Sequence, residues 1–277
     1  MPIRLVAIDI DGTLLDSRSR IPERNQLALS AAVSKGIKIV IATGRRYDFA
    51  RPILDLLRCP VTTITSNGAL VRLPDGRTPL RRLMPRSVAF DVLGATLPWR
   101  DSAALVFDRP REGQVIFEQI DREHPARRAY AEHNQPFIRE VAPLEVALTE
   151  DPLQVMFNGS IVSMRNLMTC LRGLPMAPLI SLAPTEYESR DFALVDVLDA
   201  GCSKGSMLAA WMARQGYRRD EVMAVGDNLN DVEMLETAGL PVVMGNAVPE
   251  LPGRGWTMTA HCDDAGVAQA IERWALD

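Results

Sequence analysis

The fold is decided by residues 4–13, which read Arg-Leu-Val-Ala-Ile-Asp-Ile-Asp-Gly-Thr, close to the start of the 277-residue chain. The first seven residues are partly β-branched and almost entirely apolar, which is typical of a strand buried on both faces of a parallel sheet. Asp9 and Asp11 stand two residues apart, so an extended backbone would direct both carboxylates to the same side. The dipeptide Gly12-Thr13 follows at once, and there the backbone can turn tightly and present N–H groups to an anion.

Strand and helix patterns alternate after this segment and again near the other end of the chain. The first series is a helix at Glu23–Lys35, a strand at Ile37–Ile41, a helix up to about Leu57 and a strand at Val61–Thr65. The second series has strands at Phe192–Val197, Val222–Val225 and Pro241–Met244, and helices at Ser203–Arg214, Asn230–Thr237 and Gly266–Leu276. This alternation predicts right-handed βαβ units, and hence an α/β fold with a doubly wound, mainly parallel, Rossmann-like sheet.

The middle of the chain has a different pattern. From about residue 85 to residue 184 the segments are short and interrupted by many prolines. Among them, Leu179–Leu182 is predicted to be a strand and Asp121–His133 a helix. We therefore expect a core domain built from both ends of the chain, residues 1–83 and 188–277, and an inserted α+β domain at residues 84–187.

Composition and charge exclude several classes of protein. A chain that is 47% hydrophobic and 24% charged can form a globular protein with a sizeable core. The net charge of −4, without any basic run, gives no footprint for nucleic acid. No apolar stretch approaches the length needed to span a bilayer, and the four cysteines form no CxxC pair. We therefore expect a cytoplasmic monomer or homodimer that has neither a nucleic-acid nor a membrane partner.

Other strand ends and helix starts also carry polar residues that suit phosphate. Open parallel sheets bind ligands at the carboxyl ends of their strands. After the second strand, Thr43 and Gly44 offer a hydroxyl and backbone N–H groups at a predicted helix start. Lys204 begins another helix, where a cation is unfavourable unless an anion or a carboxylate compensates for it. A plain N-cap and a solvated surface lysine are the alternative interpretations.

The strand that ends at Val225 leads into Gly226-Asp227-Asn228-Leu229-Asn230-Asp231. Two aspartates and an asparagine at a strand-to-helix turn form a cluster of hard oxygen ligands. Such a cluster suits Mg²⁺, which binds few carboxylates and keeps waters and substrate oxygens. An N-cap aspartate would explain one of these residues but not all of them, so the sequence predicts a Mg²⁺ site here.

Four segments resemble, in order, the four motifs of the haloacid dehalogenase superfamily. They are Asp-Ile-Asp-Gly-Thr-Leu-Leu (9–15), Ala-Thr-Gly-Arg (42–45), Ser-Lys-Gly (203–205) and Gly-Asp-Asn-Leu-Asn-Asp (226–231). Ser-Asn-Gly-Ala (66–69) and Asp-Asp-Ala-Gly-Val-Ala (263–268) are similar to segments of the Cof-type, subclass IIB, phosphatases. The resemblance covers both ends of the chain and implies that the insert is a substrate-specificity cap. It also implies a phosphatase of small phosphorylated metabolites such as sugar phosphates.

The resemblance further implies a role for each motif residue. Asp9 would attack phosphorus to form an aspartyl-phosphate, and Asp11 would act first as general acid and then as general base. Mg²⁺ would be held by Asp9, by the backbone carbonyl of Asp11 and by Asp227. The residues that would surround the phosphoryl group are Thr43 with Gly44, Lys204 and Asn230, while Asn67 would face the substrate and Asp231 would orient Lys204.

Two other functions stay open at this point. A phosphomutase would use the same Asp9 and Asp11 but would have to bind a bisphosphate, for which the insert offers Arg100, Arg109, Arg111 and Arg122. A non-catalytic phosphate-binding or sensing protein would use the acidic cluster for binding alone. The presence of a complete hydrolytic set argues against the binding or sensing protein. Conversion of hexose 1- to 6-phosphate without free phosphate would indicate the phosphomutase.

Overall fold

The structure is a computed structural model that describes residues 2–120, 122 and 125–277. The chain divides into two compact units, of which the first comprises residues 1–81 and 202–277 and the second comprises residues 82–201. The start of the predicted helix Asp121–His133, with His124, lies outside the described residues. No helix in the described ranges combines the length and the apolar character that crossing a membrane requires.

The described strands and helices have the following bounds. The strands are β1 (Leu5–Ile8), β2 (Lys38–Ala42), β3 (Thr62–Thr65), β4 (Leu70–Arg72), β5 (Leu80–Arg81), β6 (Ala103–Val106), β7 (Val115–Phe117), β8 (Ile138–Glu140), β9 (Gln154–Gly159), β10 (Ile180–Tyr187), β11 (Phe192–Asp199), β12 (Val222–Gly226), β13 (Leu240–Val243) and β14 (Thr257–Met258). The helices are α1 (Glu23–Ser34), α2 (Tyr47–Leu54), α3 (Arg86–Ala95), α4 (Pro125–Asn134), α5 (Ile161–Arg172), α6 (Lys204–Gln215), α7 (Val232–Thr237) and α8 (Gly266–Ile271). Short single turns connect several of them.

The first unit is built on an eight-stranded sheet with the order β14-β13-β12-β1-β2-β3-β4-β5. All pairings from β14 to β3 are parallel, and only β4 and β5 are antiparallel. Strand β1 lies in the middle, where Leu5 is aligned with Val222 on one side and with Lys38 on the other. The predicted doubly wound, mainly parallel sheet is confirmed.

Helices cover both faces of this sheet. Successive side chains of β1 therefore pack alternately in two apolar clusters, one on each face. Val6 and Ile8 pack in one cluster with residues of α1 and α8, and Leu5 and Ala7 pack in the other with residues of α6 and α7. All four side chains are fully buried. Full burial of a Val, Leu or Ile side chain contributes about 1.5–3 kcal/mol, so this short strand is a strong organising element.

The second unit has its own six-stranded sheet, in the order β10-β11-β9-β6-β7-β8. Its pairings are antiparallel except for the parallel pair β7 and β8. Phe157 of β9 lies fully buried in an apolar cluster with Leu93 of α3 and Leu167 of α5. The unit therefore has a separate core, as expected of an inserted α+β domain.

The return from the insert differs from the predicted boundary. Phe192–Asp199 is a strand, but it pairs antiparallel with β10 and β9 in the second sheet and not with the parallel sheet. The boundary after residue 187 is therefore corrected to one after residue 201. A signal for this was available, because Asp196 interrupts the apolar run at an alternate position, which indicates a sheet with one covered face.

Candidate active site

The site lies at one edge of the first unit's sheet, where four neighbouring parallel strands end. Strands β12, β1, β2 and β3 are adjacent and run in the same direction. Their carboxyl ends lead into Asp227, Asp9, Thr43 and the Ser66-Asn67 turn, respectively. Parallel pairing therefore brings together segments that are separated by more than two hundred residues in the chain.

A buried lysine bridges two carboxylates at this edge. The Lys204 ammonium donates to Asp9 Oδ1 and to Asp231 Oδ1, at 2.7 Å in both cases. Lys204 is 2% exposed and Asp231 is fully buried. The second oxygen of Asp231 accepts hydrogen bonds from the backbone N–H groups of Asp227 at 3.0 Å and Asn228 at 3.1 Å. Asp231 thus orients both the lysine and the turn that carries Asp227.

This cluster contains more negative than positive charge in a buried place. Burial raises the pKa of Asp9 well above its usual range, and Lys204 only partly opposes that effect. Burial alone would lower the pKa of Lys204, but Asp231 and Asp9 outweigh it, so the ammonium stays charged. The pKa of Asp227 is raised to about 6, first by burial and then by the charge of Asp231. A cation at this place would relieve the excess negative charge.

The loop after β1 is shaped around Asp227. Gly12 has φ +78°, and a Cβ built on it would lie 2.3 Å from Asp227 Oδ2. Thr13 Oγ1 donates to Asp227 Oδ1 at 2.8 Å. Asn246 Nδ2 donates to the Gly12 carbonyl at 2.7 Å, and its Oδ1 accepts from Cys262 N at 2.9 Å. Only glycine satisfies both the left-handed backbone and the close approach at position 12.

The ends of β2 and β3 form a second part of the same edge. Thr43 is buried, its hydroxyl accepts from Arg45 N at 3.1 Å, and its carbonyl accepts from Asn67 N at 3.2 Å. A Cβ on Gly44 would lie 2.7 Å from Asn67 Oδ1, so the two residues are in close contact. Ser66 and Asn67 both have positive φ, at 51° and 53°. Non-glycine residues in this region mark a turn held by its surroundings.

Two predicted site residues stand apart from the buried cluster. Asp11 has a side chain that is 57% exposed and forms a bidentate pair with Arg45, at 2.8 Å to Nε and 2.5 Å to Nη2. Asn230 is exposed, and its side chain makes no hydrogen bond with any described residue. The structure therefore brings together Asp9, Asp227, Asp231 and Lys204 directly, and leaves Asp11 and Asn230 at the rim.

Three residues of the site were not assigned by sequence reasoning. Thr13 and Arg45 belong to the segments 9–15 and 42–45, so their position in those motifs was an available signal. Asn246 stands in no motif quoted above, and only its contacts to the Gly12 carbonyl and Cys262 reveal it.

The carboxylates of this edge fit a divalent cation. Ligand oxygens of Asp9, Asp227 and Asp231 lie within 4.8 Å of one another. Both oxygens of Asp231 are already occupied by Lys204 and backbone N–H groups. Asp9 and Asp227 each retain one oxygen that accepts no hydrogen bond from the described residues. Two carboxylates with raised pKa values are a donor set that Mg²⁺ accepts.

Known proteins resemble this chain along nearly its whole length. A model of the haloacid dehalogenase-like hydrolase family matches residues 6–271. The chain belongs to this family. An HMP-PP phosphatase of Serratia proteamaculans (strain 568) is 31% identical over 98% of this chain and 95% of its own length. Pyridoxal phosphate phosphatase YbhA of Escherichia coli (strain K12) is 28% identical over 98% of each chain. The family member described here is accordingly a phosphoric monoester hydrolase of the Cof type.

Solved structures of the family have the same fold. A phosphatase of the haloalkanoate (HAD) superfamily from Bacteroides thetaiotaomicron has a TM-score of 0.80 and 26% identity, covering 100% of this chain and 96% of its own. A subclass IIB sugar phosphatase has a TM-score of 0.76 and 22% identity, covering 99% of this chain and 100% of its own. The second comparison concerns the fold alone.

Proposed function

We propose that the protein hydrolyses small phosphorylated metabolites with Mg²⁺ and through an aspartyl-phosphate on Asp9. The observation that carries this proposal is the buried contact of Lys204 with Asp9 and Asp231, beside Asp227 at the same sheet edge. The lysine holds the Asp9 carboxylate in place through Oδ1 and leaves Oδ2 without a hydrogen bond from the described residues, so one oxygen can bind Mg²⁺ while the other attacks phosphorus. A nucleophile held in this way loses little conformational freedom at the moment of reaction.

In the proposed reaction Asp9 is the nucleophile and Asp11 transfers protons. One oxygen of the Asp9 carboxylate forms a bond to phosphorus while the bond from phosphorus to the ester oxygen breaks. Asp11 gives its proton to the leaving oxygen and later takes one from the water that hydrolyses the aspartyl-phosphate. Before substrate arrives, Arg45 holds the ionised Asp11 carboxylate through two hydrogen bonds, and Asp11 must leave this pair and take up a proton from solvent before it can act as the general acid.

Charge stabilisation would come from groups that are already in place. Lys204 supplies a fixed positive charge, and the Thr43 hydroxyl with the Gly44 N–H offers hydrogen-bond donors to phosphoryl oxygens. Asn230 would join them from the rim, and Asn67 would contact the substrate. Asp9, Asp227 and the Asp11 carbonyl would hold Mg²⁺, which when bound neutralises part of the phosphoryl charge. Phosphoryl transfer depends chiefly on such positioning and electrostatics.

The insert is proposed to select the substrate, as a cap, and the relatives support small phosphorylated molecules. The curated relatives include phosphatases named for HMP-PP and pyridoxal phosphate, and a sugar phosphatase is among the similar structures. We also propose a cytoplasmic location, in keeping with the finding that Cys59, Cys170, Cys202 and Cys262 form no disulfide.

A phosphomutase receives less support from the insert. Of the four arginines considered for a bisphosphate, three are engaged with glutamates. Arg100 contacts Glu118 and Glu145, Arg109 contacts Glu150, and Arg122 contacts Glu140. Binding a second phosphate there would require these ion pairs to break, which favours hydrolysis as the reaction.

The proposal is tested by a phosphate-release screen with Mg²⁺ over sugar phosphates, nucleotides, pyridoxal phosphate and p-nitrophenyl phosphate. We expect free phosphate from at least one small ester, and loss of release when EDTA removes the metal. Interconversion of hexose phosphates without release of free phosphate would contradict the hydrolase and indicate a phosphomutase. Binding of phosphate esters without turnover of any of them would indicate a sensing protein.

The substitution Gly12→Ala is expected to weaken the metal site. The new Cβ would displace the Asp227 carboxylate, and φ +78° adds backbone strain of about 1–2 kcal/mol for alanine. We expect kcat/KM to fall at least about tenfold and half-saturation to need more Mg²⁺. Gly36→Ala is the matched control, because Gly36 has φ +85° with open space around its Cβ. If both variants changed the Mg²⁺ requirement equally, contact with Asp227 would not be the cause.

Metal affinity and stability are expected to depend on pH through Asp227. Its pKa of about 6 exceeds the 3.8 of an unperturbed aspartate, so the metal-free folded state binds more protons between these values. Stability without metal should therefore fall as pH rises from about 4 to 6, by up to about 3 kcal/mol. Mg²⁺ competes with this proton, so its affinity should increase about tenfold per pH unit below 6 and level off above.

Thermal unfolding checks this prediction when it is measured with EDTA and with Mg²⁺ from about pH 4.5 to about pH 8, a range that includes the raised pKa of Asp227. The Asp227→Asn variant is the control: its metal-free pH slope should be smaller, since only Asp9 still contributes, and its Mg²⁺ effect should be lost. A Mg²⁺ shift of the same size at every pH would contradict the assignment of Asp227 as a ligand.

A further inference from the structure

The first unit has a cavity of about 440 Å³ at the edge of its sheet opposite to the candidate active site. Its wall includes Lys38 and Thr62, the first residues of β2 and β3. Thr43 and the Ser66-Asn67 turn follow the last residues of the same two strands. Because a strand rises about 3.3 Å per residue, the two sites are separated by the full length of these strands.

The charged side chains that line this cavity are all cationic. They are Lys38, Arg77 and Arg214, and no carboxylate belongs to the lining. Arg77 is paired with Asp75. The ammonium of Lys38 and the guanidinium of Arg214 form no hydrogen bond or ion pair with the described residues. Two exposed cations without a protein partner, at the rim of one cavity, provide a binding place for an anion.

The inner wall of the cavity is apolar and partly aromatic. Trp211 is 7% exposed, and packing in the cluster on the α6 side of the sheet fixes its ring. Leu73 and the ring of Tyr217 continue this surface, and the guanidinium of Arg4 lies 5.5 Å from the centre of that ring. An apolar wall beside a cationic rim suits a ligand that has a flat apolar body and a negative group at one end.

We propose that this cavity is a binding site for a small organic anion, of the class of aromatic or heterocyclic carboxylates, sulfonates and phosphate esters. The anionic group contacts Lys38 and Arg214, and the flat body lies against Trp211 and Leu73. The volume is within the range of small-molecule sites, which begins at about 300 Å³. The site is independent of the reaction at Asp9, since none of its lining residues belongs to the catalytic edge.

The test uses naphthalene-2-sulfonate as the probe, because it has the required flat body and charge and contains no phosphorus. Isothermal titration of the full chain should show binding, whereas naphthalene-2-methanol and methanesulfonate should each bind at least about tenfold more weakly. In the double variant Lys38→Glu/Arg214→Glu the Kd for the sulfonate should rise at least about tenfold, which corresponds to about 1.4 kcal/mol.

The double variant Arg172→Glu/Arg190→Glu is the matched control. Both residues are exposed and lie in the second unit, and their substitution changes the net charge by the same amount as Lys38→Glu/Arg214→Glu does. This control should bind the sulfonate as the unmodified chain does, and both double variants should hydrolyse p-nitrophenyl phosphate at the unmodified rate if they are folded. The proposal is overturned if the alcohol binds as tightly as the sulfonate. It is equally overturned if the two double variants bind the sulfonate equally well.

Discussion

The Asp9→Asn variant is expected to lose hydrolysis of p-nitrophenyl phosphate by at least about 10⁴-fold in kcat, because an amide cannot form the aspartyl-phosphate. The change is nearly isosteric, and the amide oxygen can still accept the hydrogen bond from Lys204 at the position of Oδ1. The raised pKa of Asp9 indicates that its burial is unfavourable for the charged form. We therefore expect the free energy of unfolding to change by only about 1 kcal/mol.

Phosphate release and urea unfolding, measured on the same preparation, check this expectation. Asp55→Asn is the matched control, since Asp55 is an exposed partner of Arg51 in the same unit. It should retain full turnover and stability. Turnover of Asp9→Asn at the unmodified rate would remove Asp9 as the nucleophile. Loss of folding would instead assign Asp9 a structural role.

The Lys204→Met variant is expected to lose both stability and turnover. Methionine has a similar shape but leaves Asp9 and Asp231 buried without the cation that lies 2.7 Å from each of them. Removing one partner of a buried ion pair costs about 3–5 kcal/mol. Loss of the fixed positive charge should also lower kcat by at least about 10³-fold. Urea unfolding at about pH 7 measures the loss of stability, and phosphate release measures the loss of kcat.

The pH dependence of this variant separates charge from packing. Without Lys204, nothing opposes the effect of burial on Asp9, so this carboxylate binds a proton more readily in the folded state than in the unfolded state. The free energy of unfolding should therefore fall as pH rises through the acidic range. It should be recovered when the pH is lowered to about 4–5, just above an ordinary carboxyl pKa. A pH-independent loss would mean that the methionine side chain simply packs poorly.

The double variant Lys204→Met/Asp231→Asn provides the matched comparison. It removes one of the two uncompensated carboxylates, while the asparagine oxygen can still accept from the Asp227 and Asn228 N–H groups. We expect it to recover at least half of the lost stability and none of the lost turnover. Recovery of turnover would show that the lysine charge is not needed for the reaction.

The sequence predicted the centre of this protein well because the deciding signals are local. An apolar β-branched run followed by Asp9, Gly12 and Thr13 defines a buried strand and a tight turn within ten residues. The same holds for the strand that leads to Asp227. Once both strands are assigned to a parallel sheet, their carboxyl ends lie at the same edge, which brings Asp9 and Asp227 together.

The sequence was less informative where the partner of a segment lies far away. Phe192–Asp199 is apolar enough to be a strand in either sheet, and only its pairing with β9 and β10 decides the matter. The pairing of Asp11 with Arg45 depends on how two loops face each other, since these residues stand 34 positions apart. Side-chain partners across loops have no periodic signal, so such contacts are not predictable from spacing.

By itself, the sequence determined the α/β class, the strand-end positions of the acidic residues and the membership of the hydrolase family. The tertiary structure decided which carboxylate oxygens remain open for a cation and which are used by Lys204 and backbone N–H groups. It also decided that Gly12 is required by contact with Asp227 as well as by its own φ. The physical reason is that chain periodicity records burial, whereas the state of a carboxylate depends on neighbours that only folding brings together.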